Sequence, residues 1–481
     1  MRRDADEKAI YQKEALNEAV QRIEKCRKSH SKTLKLGYNG YLNKFPDEIR
    51  QLTWLTGLYV ICTDIKSLPE WIGELEKLRI LELRCNQKIC KLPAGLVNLK
   101  HLKKLVLDNT GVRKLPALIG KMTSLELLDI SIAEMKSVPK CVLNLPRLKR
   151  IETGGYDISH LPSLVAKQHE LNLIEAKRRI ERCKMKKTAK LNLSYLYLGE
   201  LPKELSGLNW LEELDLTSND LKQLPEWIGN YQNLGILDLD CNELTSLPDS
   251  IGNLQKLKKI YLDENRLETL PETFGDLKSL EEFVLIETHN HPALEEMYGQ
   301  GSWFFCLPES FGNLSSLKIF SIAETRLTSL PESFGKLKKL RELTIQECIT
   351  DNFHFPSTMR NLTSLREISL SAFNKVPDFI KELKDLTVLD ISHNRLYELP
   401  DFIGNLTKLK VLNLHSTWIK ELPDWVCNLR NLEDLDISAN DIEVNPEISK
   451  KLPKLMKFYD CYNVFNAEDC KEDRLTKKVK K

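Results

Sequence analysis

The sequence has no long hydrophobic run and almost no net charge. A charged or polar residue interrupts every leucine cluster, so no stretch approaches the roughly 18 apolar residues of a membrane-spanning helix. Lys and Arg total 71 against 69 Asp and Glu, which gives a net charge of +2 and no overall attraction to nucleic acids or anionic membranes. With 42% hydrophobic and 29% charged residues, the composition excludes a disordered or collagen-like chain and predicts a folded protein.

The chain also lacks paired cysteine clusters and a secretion signal. Its 12 cysteines are scattered singly, which favours reduced thiols over a disulfide or zinc framework. The first 20 residues contain acidic side chains where a targeting peptide needs an apolar or acid-poor segment. We therefore expect a cytoplasmic protein.

Prolines expose an internal repeat that covers most of the chain. Most neighbouring members of the series are 23 residues apart, and a fixed period of this length is typical of repeat architectures. The series is Pro46, Pro69, Pro93, Pro116, Pro139, Pro162, Pro202, Pro225, Pro248, Pro271, Pro308, Pro331, Pro356, Pro377, Pro400, Pro423 and Pro446.

One repeat is clearest in the segment LEELDLTSNDLKQLP at 211–225. Leu214 and Leu216 alternate with Asp215 and Thr217, as expected of a strand with one buried and one exposed face. Asn219 marks the turn, where its amide can satisfy backbone groups. The proline lacks an N–H, so it ends strand pairing and predicts an extended return segment.

This unit resembles the leucine-rich repeat family, with the pattern LxxLxLxxNxLxxLPxxIGxL, from about Leu34 to Phe458. The resemblance implies an α/β fold, a leucine-rich repeat solenoid that forms a curved right-handed superhelix with a parallel sheet on its concave face. A single unit cannot bury its own leucines, so neighbouring units stack around a shared core.

The 23-residue type with L-P and I-G is similar to Ras-suppressor, Scribble and plant intracellular Ras-group-related proteins, and to the arrays of Roco GTPases and plant immune receptors. The resemblance implies a non-catalytic scaffold that binds a protein partner on its concave surface in intracellular signalling, with small GTPase-type signalling proteins among the partner classes of such relatives. An alternative is a separately encoded recognition array that regulates a GTPase or nucleotide-binding module. The sequence has no phosphate loop or kinase signature, so we expect no enzyme activity, no cofactor and no metal.

Two interruptions of the period divide the chain. The segment EAVQRIEKC at 18–26 returns as EAKRRIERC at 175–183, which indicates a duplicated helix with apolar residues at helical spacing. The second copy either joins one quasi-continuous solenoid or separates two arrays. The predicted organisation is a cap helix at 1–31, a first array at 32–162, a helical joint at 163–187, a second array at 188–466 with an insertion loop at 288–303, and a basic tail at 467–481.

Outward positions of the predicted strands differ between the arrays. The first array places apolar residues there, either as a partner-binding patch or covered by neighbouring side chains. These residues are Tyr59, Ile61, Ile80 and Val106. The second array is acidic at these positions, with only Lys190 and Lys259 opposing, so like charges on stacked strands would repel and a basic partner would relieve the repulsion. Its predicted contacts are Glu213, Asp215, Asp238, Asp240, Tyr261, Asp263, Glu264, Glu282, Glu287, Glu342, Asp390 and Asp436, with Trp303 in the insertion loop.

Three other groupings give weaker interpretations. Cys62 and Cys85 occupy equivalent positions on neighbouring repeats, but two free thiols are favoured over a disulfide. His393 and His415 with Asp390 and Asp436 approximate a metal site, as do His289 and His291 with Glu295 and Glu296. The loop offers no rigid surroundings for a metal, and no strand-turn-helix context makes Gly299–Gly301 a phosphate cradle.

Overall fold

A computed structural model describes residues 2–38, 40–131, 136–154, 159–286, 304–348, 353–442 and 451–460. The chain divides into two compact units, Met1–Glu175 and Ala176–Lys481. Among the described residues, no helix combines the length and the apolarity that crossing a bilayer requires. The predicted insertion loop at 288–303 and the basic tail at 467–481 lie outside the described residues.

Unit 1 begins with helix α1, Arg2–Ser29, and its described strands form one six-stranded parallel sheet in chain order. A short helix α2, Lys140–Leu143, precedes the last strand, and helix α3, Pro162–Lys186, begins in this unit. The strands are β1 Thr33–Gly37, β2 Gly57–Ile61, β3 Ile80–Glu82, β4 Lys104–Val106, β5 Leu127–Asp129 and β6 Arg150–Glu152.

Unit 2 begins with the remainder of α3 and continues as a twelve-stranded parallel sheet, again in chain order. Each strand is hydrogen-bonded to the strand of the next repeat, which is the arrangement of a leucine-rich repeat solenoid. The strands are β7 Lys190–Asn192, β8 Glu213–Asp215, β9 Ile236–Asp238, β10 Lys259–Tyr261, β11 Glu282–Ile286, β12 Ile319–Ala323, β13 Glu342–Gln346, β14 Glu367–Leu370, β15 Val388–Asp390, β16 Val411–Asn413, β17 Asp434–Asp436 and β18 Lys457–Tyr459.

Most described return segments are 3-10 helical, with the α-helix α2 in that place after Pro139, which corrects the expectation of an extended return. The proline before each helix is itself extended, with φ −75° and ψ 151° at Pro225, because its ring fixes φ and it needs no N–H partner. The five residues that follow form the helix. These helices are Asp47–Gln51, Glu70–Glu74, Ala94–Asn98, Ala117–Lys121, Lys203–Gly207, Glu226–Asn230, Asp249–Asn253, Glu272–Asp276, Glu309–Asn313, Glu332–Lys336, Ser357–Asn361, Asp378–Glu382, Asp401–Asn405 and Asp424–Asn428.

Glycine in the I-G or F-G pair lets successive 3-10 helices approach closely. A Cβ added at Gly312 would lie 2.1 Å from the carbonyl oxygen of Ser333 in the next repeat. Gly207, which ends the first 3-10 helix of unit 2, has no atom within 4 Å of such a Cβ. The close approach therefore occurs at glycines of the I-G or F-G pair and not at every glycine of the return path.

Each unit has one continuous core of strand leucines and return-path apolar residues. In unit 1, Ala19, Ile23 and Cys26 of α1 join this core, as do Leu164 and Leu171 from the first half of α3. In unit 2, the second half of α3 contributes Ala176, Ile180 and Cys183. The helical spacing seen in the sequence thus corresponds to buried helix faces in both copies.

Turn asparagines form a buried hydrogen-bonded ladder, as the sequence predicts. The side-chain amide of Asn242 donates to the carbonyls of Leu216 and Leu239 at 3.1 and 2.8 Å. Its Oδ1 accepts backbone N–H groups from Asn219 and Leu221, both at 3.1 Å. One side chain therefore joins two repeats and satisfies backbone groups that burial would otherwise leave unpaired.

Candidate partner-binding surfaces

Alternate strand residues point away from each core and form what we call the outer sheet face. In β8, Leu214 is fully buried, whereas Glu213 and Asp215 remain partly accessible. The parallel pairing places Asp215 beside Asp238 of β9, and Asp238 beside Tyr261 of β10. Equivalent outward positions therefore form columns across the sheet, and their charges act on one another.

Four carboxylates on three neighbouring repeats define the acidic cluster: Asp215, Asp238, Asp240 and Asp263. The Thr217 hydroxyl lies 2.8 and 2.9 Å from carboxylate oxygens of Asp215 and Asp238. The backbone N–H of Asp263 donates to Asp240 at 2.8 Å. These bonds order the carboxylates without neutralising them, and no salt bridge to a described cation involves any of the four.

Ionisation of the acidic cluster is hindered by its surroundings. Burial raises the pKa of the Asp240 carboxyl to about 7, and the neighbouring carboxylates Asp238 and Asp263 add to the effect. Burial also raises the pKa values of Asp238 and Asp263, although each carboxylate accepts a backbone hydrogen bond that lowers it. A cation placed on the cluster would favour the charged forms.

Other predicted acidic residues are neutralised by neighbours within the sheet. Lys190 pairs with Glu213 at 2.5 Å, and Lys259 pairs with Glu282. Glu342 is different: burial raises its pKa, and the neighbouring carboxylates Glu367 and Glu282 add to the effect. Lysines therefore relieve the charge repulsion at Glu213 and Glu282, and it persists at Glu342 and in the acidic cluster.

The acidic surface is also interrupted. Beyond Tyr261 the central column continues with Val284, Ser321, Thr344 and Ser369, which carry no charge. Asp390 and Asp436 follow on β15 and β17, where their carboxylates accept the N–H groups of Ser392 and Ser438 at 3.0 and 2.9 Å. Glu264 follows β10 with a φ of 56°, and Glu287 and Trp303 lie outside the described residues.

In unit 1 the structure places Tyr59, Ile61 and Ile80 on the outer sheet face, half-buried, with Lys35 Nζ 5.5 Å from the Tyr59 ring centroid. Val106 is different, since none of its surface is exposed. Of the two alternatives for the outward apolar positions, coverage rather than an exposed patch holds at Val106, whose register neighbours are Glu82 and Asp129.

Those neighbours belong to a second group of carboxylates that the sequence analysis missed. Glu82, Asp108, Asp129 and Glu152 lie on four consecutive repeats, and Arg84 Nε contacts Asp108 at 2.9 Å. Burial raises the pKa values of Asp108 and Glu152. The acidic residue at the third strand position of three repeats, Glu82, Asp129 and Glu152, was the available signal.

The weaker groupings have simple local geometry. His393 and His415 pack edge to face with centroids 4.9 Å apart, and His415 Nδ1 is 2.8 Å from Ser438 Oγ. Cys62 and Cys85 are both free thiols, and burial raises the pKa of Cys62. Within the described ranges, no three His, Cys, Asp or Glu side chains are placed to hold a metal ion.

Sequence comparison identifies the class of protein that this architecture defines. The family described as leucine-rich repeat region matches residues 78–191, 183–299 and 300–398, and a second leucine-rich repeat family matches 378–442. These matches cover more than half of the sequence, so the chain belongs to the leucine-rich repeat family. Such proteins commonly mediate protein–protein interactions and are generally non-catalytic.

Solved structures similar to this chain include a leucine-rich repeat protein of Leptospira interrogans, at 27% identity over 92% of this chain and 98% of that one, with a TM-score of 0.40. The ectodomain of the Arabidopsis thaliana receptor kinase GASSHO1/SCHENGEN3 is 22% identical over 88% of this chain and 51% of its own, with a TM-score of 0.35. An internalin of Listeria monocytogenes is 16% identical over 89% and 87%, with a TM-score of 0.26. No curated protein matches the sequence.

Proposed function

We propose that this protein is a non-catalytic interaction scaffold whose outer sheet face in unit 2 binds a basic segment of a protein partner. The acidic cluster is the observation that carries the proposal. Its carboxylates share one surface, are held by hydrogen bonds, and have no cationic neighbour within the described sheet. Folding gains nothing from such a grouping, whereas a lysine or arginine side chain would relieve its repulsion.

Binding would depend on the rigidity of the cluster. The Asp263 carboxylate accepts the backbone N–H of Ile286 at 2.8 Å, so it is already oriented before a partner arrives. Pre-ordered side chains lose little conformational entropy when they bind. Each pair between a partner cation and a half-buried carboxylate would contribute on the order of 1 kcal/mol, and the attraction would weaken with salt.

The test compares two triple variants of the full chain that lose the same charge. Asp215→Asn, Asp238→Asn and Asp263→Asn keep acceptor oxygens on the outer sheet face. Glu226→Gln, Asp249→Asn and Asp276→Asn remove three exposed carboxylates from the return path of the same unit. The probe is a fluorescent peptide of alternating lysine and serine, followed by anisotropy at several salt concentrations.

We expect the first triple variant to bind at least tenfold more weakly than the wild type and to lose most of the salt dependence, because it removes the local charge. The return-path variant should bind as the wild type does. Equal weakening of both variants would show that the peptide responds only to net charge and would contradict the proposal.

A role in intracellular signalling, in the cytoplasm, is part of the same proposal and is supported by the resemblance of the 23-residue repeat to intracellular signalling proteins. Cross-linking mass spectrometry on native extracts would test it. A signalling protein cross-linked to β8–β10 is the expected result. Reproducible cross-links to secreted proteins only would contradict it.

A further inference from the structure

A groove on the flank of unit 1 lies outside the outer sheet face, between the strand turns and the return helices of three repeats. Its volume is about 940 Å³. Leu92, Leu115, Pro116 and Pro139 supply its apolar lining. Gly111 makes the narrow part possible, because a Cβ there would lie 2.3 Å from the Gln87 carbonyl oxygen.

Cations surround this apolar lining. Lys91 and Lys114 occupy the same position in successive repeats, directly before the Leu-Pro pair, and Arg113 lies beside them. Lys66 and Lys136 lie one position earlier, at the position of Arg113, in the repeats on either side. All five side chains are exposed, and no carboxylate lines the groove. None of the described acidic residues forms a salt bridge with Lys66, Lys91, Lys114 or Lys136.

Lysines at this position in two successive repeats occur in unit 1 and not in unit 2. The residues that match Lys91 and Lys114 in unit 2 are Glu200, Gln223, Ser246, Thr269, Cys306, Ser329, His354, Lys375, Glu398 and Glu421, of which only Lys375 is a lysine. The same contrast extends to whole units. Residues 1–175 contain 30 Lys and Arg against 21 Asp and Glu, a net charge of +9, whereas residues 176–481 contain 41 against 48, a net charge of −7.

We propose that the flank groove binds an acidic peptide segment of a protein partner, with an apolar side chain of that segment packed on Leu92 and Pro116. Charge complementarity identifies the occupant. Carboxylates pair with the lysine ammonium groups on either side, and the apolar lining provides the anchor that purely electrostatic binding lacks. The groove spans successive repeats, so it suits an extended peptide whose side chains contact one repeat after another.

The first experiment measures anisotropy of a labelled peptide, acetyl-GDELFDELEG-amide, with the full-length protein. We expect saturable binding that weakens at least tenfold in the double variant Lys91→Glu, Lys114→Glu. The matched control is Lys222→Glu, Lys420→Glu, which makes the same charge change at exposed flank positions of unit 2. It should bind as the wild type does. Peptides with Asn and Gln for the acids, or Ser for Leu and Phe, should each bind at least tenfold more weakly.

The second experiment uses the wild-type chain alone, so it does not depend on the folding of a variant. Cys90 is an exposed free thiol in the groove lining, and Cys241 is an exposed free thiol in unit 2. Saturating acidic peptide should slow maleimide labelling of Cys90 at least fivefold, measured by mass spectrometry, and leave Cys241 unchanged. Labelling rates that stay equal, or fall equally at both thiols, would overturn the proposal.

Four further outcomes would also overturn it. Equal binding of the neutral peptide would show that the cations do not select the ligand. Equal weakening by the Lys222 and Lys420 variant would show a response to net charge alone. Protection of Cys90 by phosphatidylserine vesicles but not by the peptide would assign the groove to a membrane. Salt-sensitive self-association, seen by sedimentation velocity without peptide, would assign it to a second copy of the chain.

Discussion

Asp240→Asn should stabilise the protein at pH 8 and have a smaller effect at pH 5. Within the acidic cluster, Asp240 is the carboxyl whose ionisation burial opposes to the extent of a pKa of about 7. The change removes its negative charge but keeps an oxygen that can accept the Asp263 N–H. The pKa of Asp240 is about 7 in the folded chain, against an ordinary value of 3.8. Between these values the folded state keeps a proton that the unfolded chain has released.

The sign of the effect follows from that difference. Because the folded state binds more protons across this window, the free energy of unfolding falls as pH rises from about 4 to about 7. If the whole pKa difference acted on stability, the free energy of unfolding would fall by about 4 kcal/mol over this range. Asp240 is only half-buried, and solvent screening reduces the expected gain in Asp240→Asn to about 1–2 kcal/mol at pH 8.

Urea unfolding followed by circular dichroism at pH 5, 6, 7 and 8 would measure the effect. Other ionisable groups also shape the pH profile of the wild type, so the informative quantity is the difference between wild type and variant at each pH. Asp249→Asn is the matched control, since it removes an exposed carboxylate from the return path of the same repeat. A gain that is equal at pH 5 and pH 8, or a loss of stability at pH 8, would refute the reasoning.

Three other predictions follow from the same geometry. A basic peptide should bind up to about tenfold more tightly at pH 8 than at pH 6 because Asp240 ionises between them, and Asp240→Asn should flatten this dependence in anisotropy titrations. Asn242→Ala leaves buried backbone groups of two repeats unpaired and should cost about 3 kcal/mol in urea unfolding, whereas Thr325→Val, at the equivalent turn with weaker contacts, should cost less than about 1 kcal/mol. Gly312→Ala should destabilise the protein by about 1–3 kcal/mol, seen as a lower Tm, and Gly207→Ala should not. Similar losses of stability in Asn242→Ala and Thr325→Val, or in Gly312→Ala and Gly207→Ala, would contradict the packing described.

The sequence predicts the backbone arrangement well because every repeat has the same physical requirements. Leucines at alternate strand positions must be buried, and the turn asparagine must satisfy the backbone groups beside it, so Leu214, Leu216 and Asn219 occupy their expected places. The 3-10 return was missed for a different reason. A proline is compatible with either an extended segment or the start of a helix, and the choice depends on packing against the next repeat.

Side-chain environments on the outer sheet face could not be read from one repeat at a time. Val106 and Ile80 occupy outward positions in successive strands, yet only Val106 is fully buried. Its register neighbours are Glu82 and Asp129, whereas those of Ile80 are Gly57 and Lys104. Likewise, Glu213 is neutralised by Lys190 of the preceding repeat, whereas Asp240 has only carboxylates nearby. Burial and charge pairing are thus set by residues about 23 positions apart, which the repeat pattern treats as equivalent.

Net charge illustrates the same point over a longer distance. The value of +2 for the whole chain suggests no electrostatic preference, but it is the sum of +9 in unit 1 and −7 in unit 2. A charge is screened within about 10 Å at moderate salt, so a partner responds to the unit it touches and not to the total. The acidic cluster should therefore select basic segments, and the flank groove should select acidic segments. Raising the salt should weaken both interactions, but the flank groove should keep the part of its affinity that comes from its apolar lining.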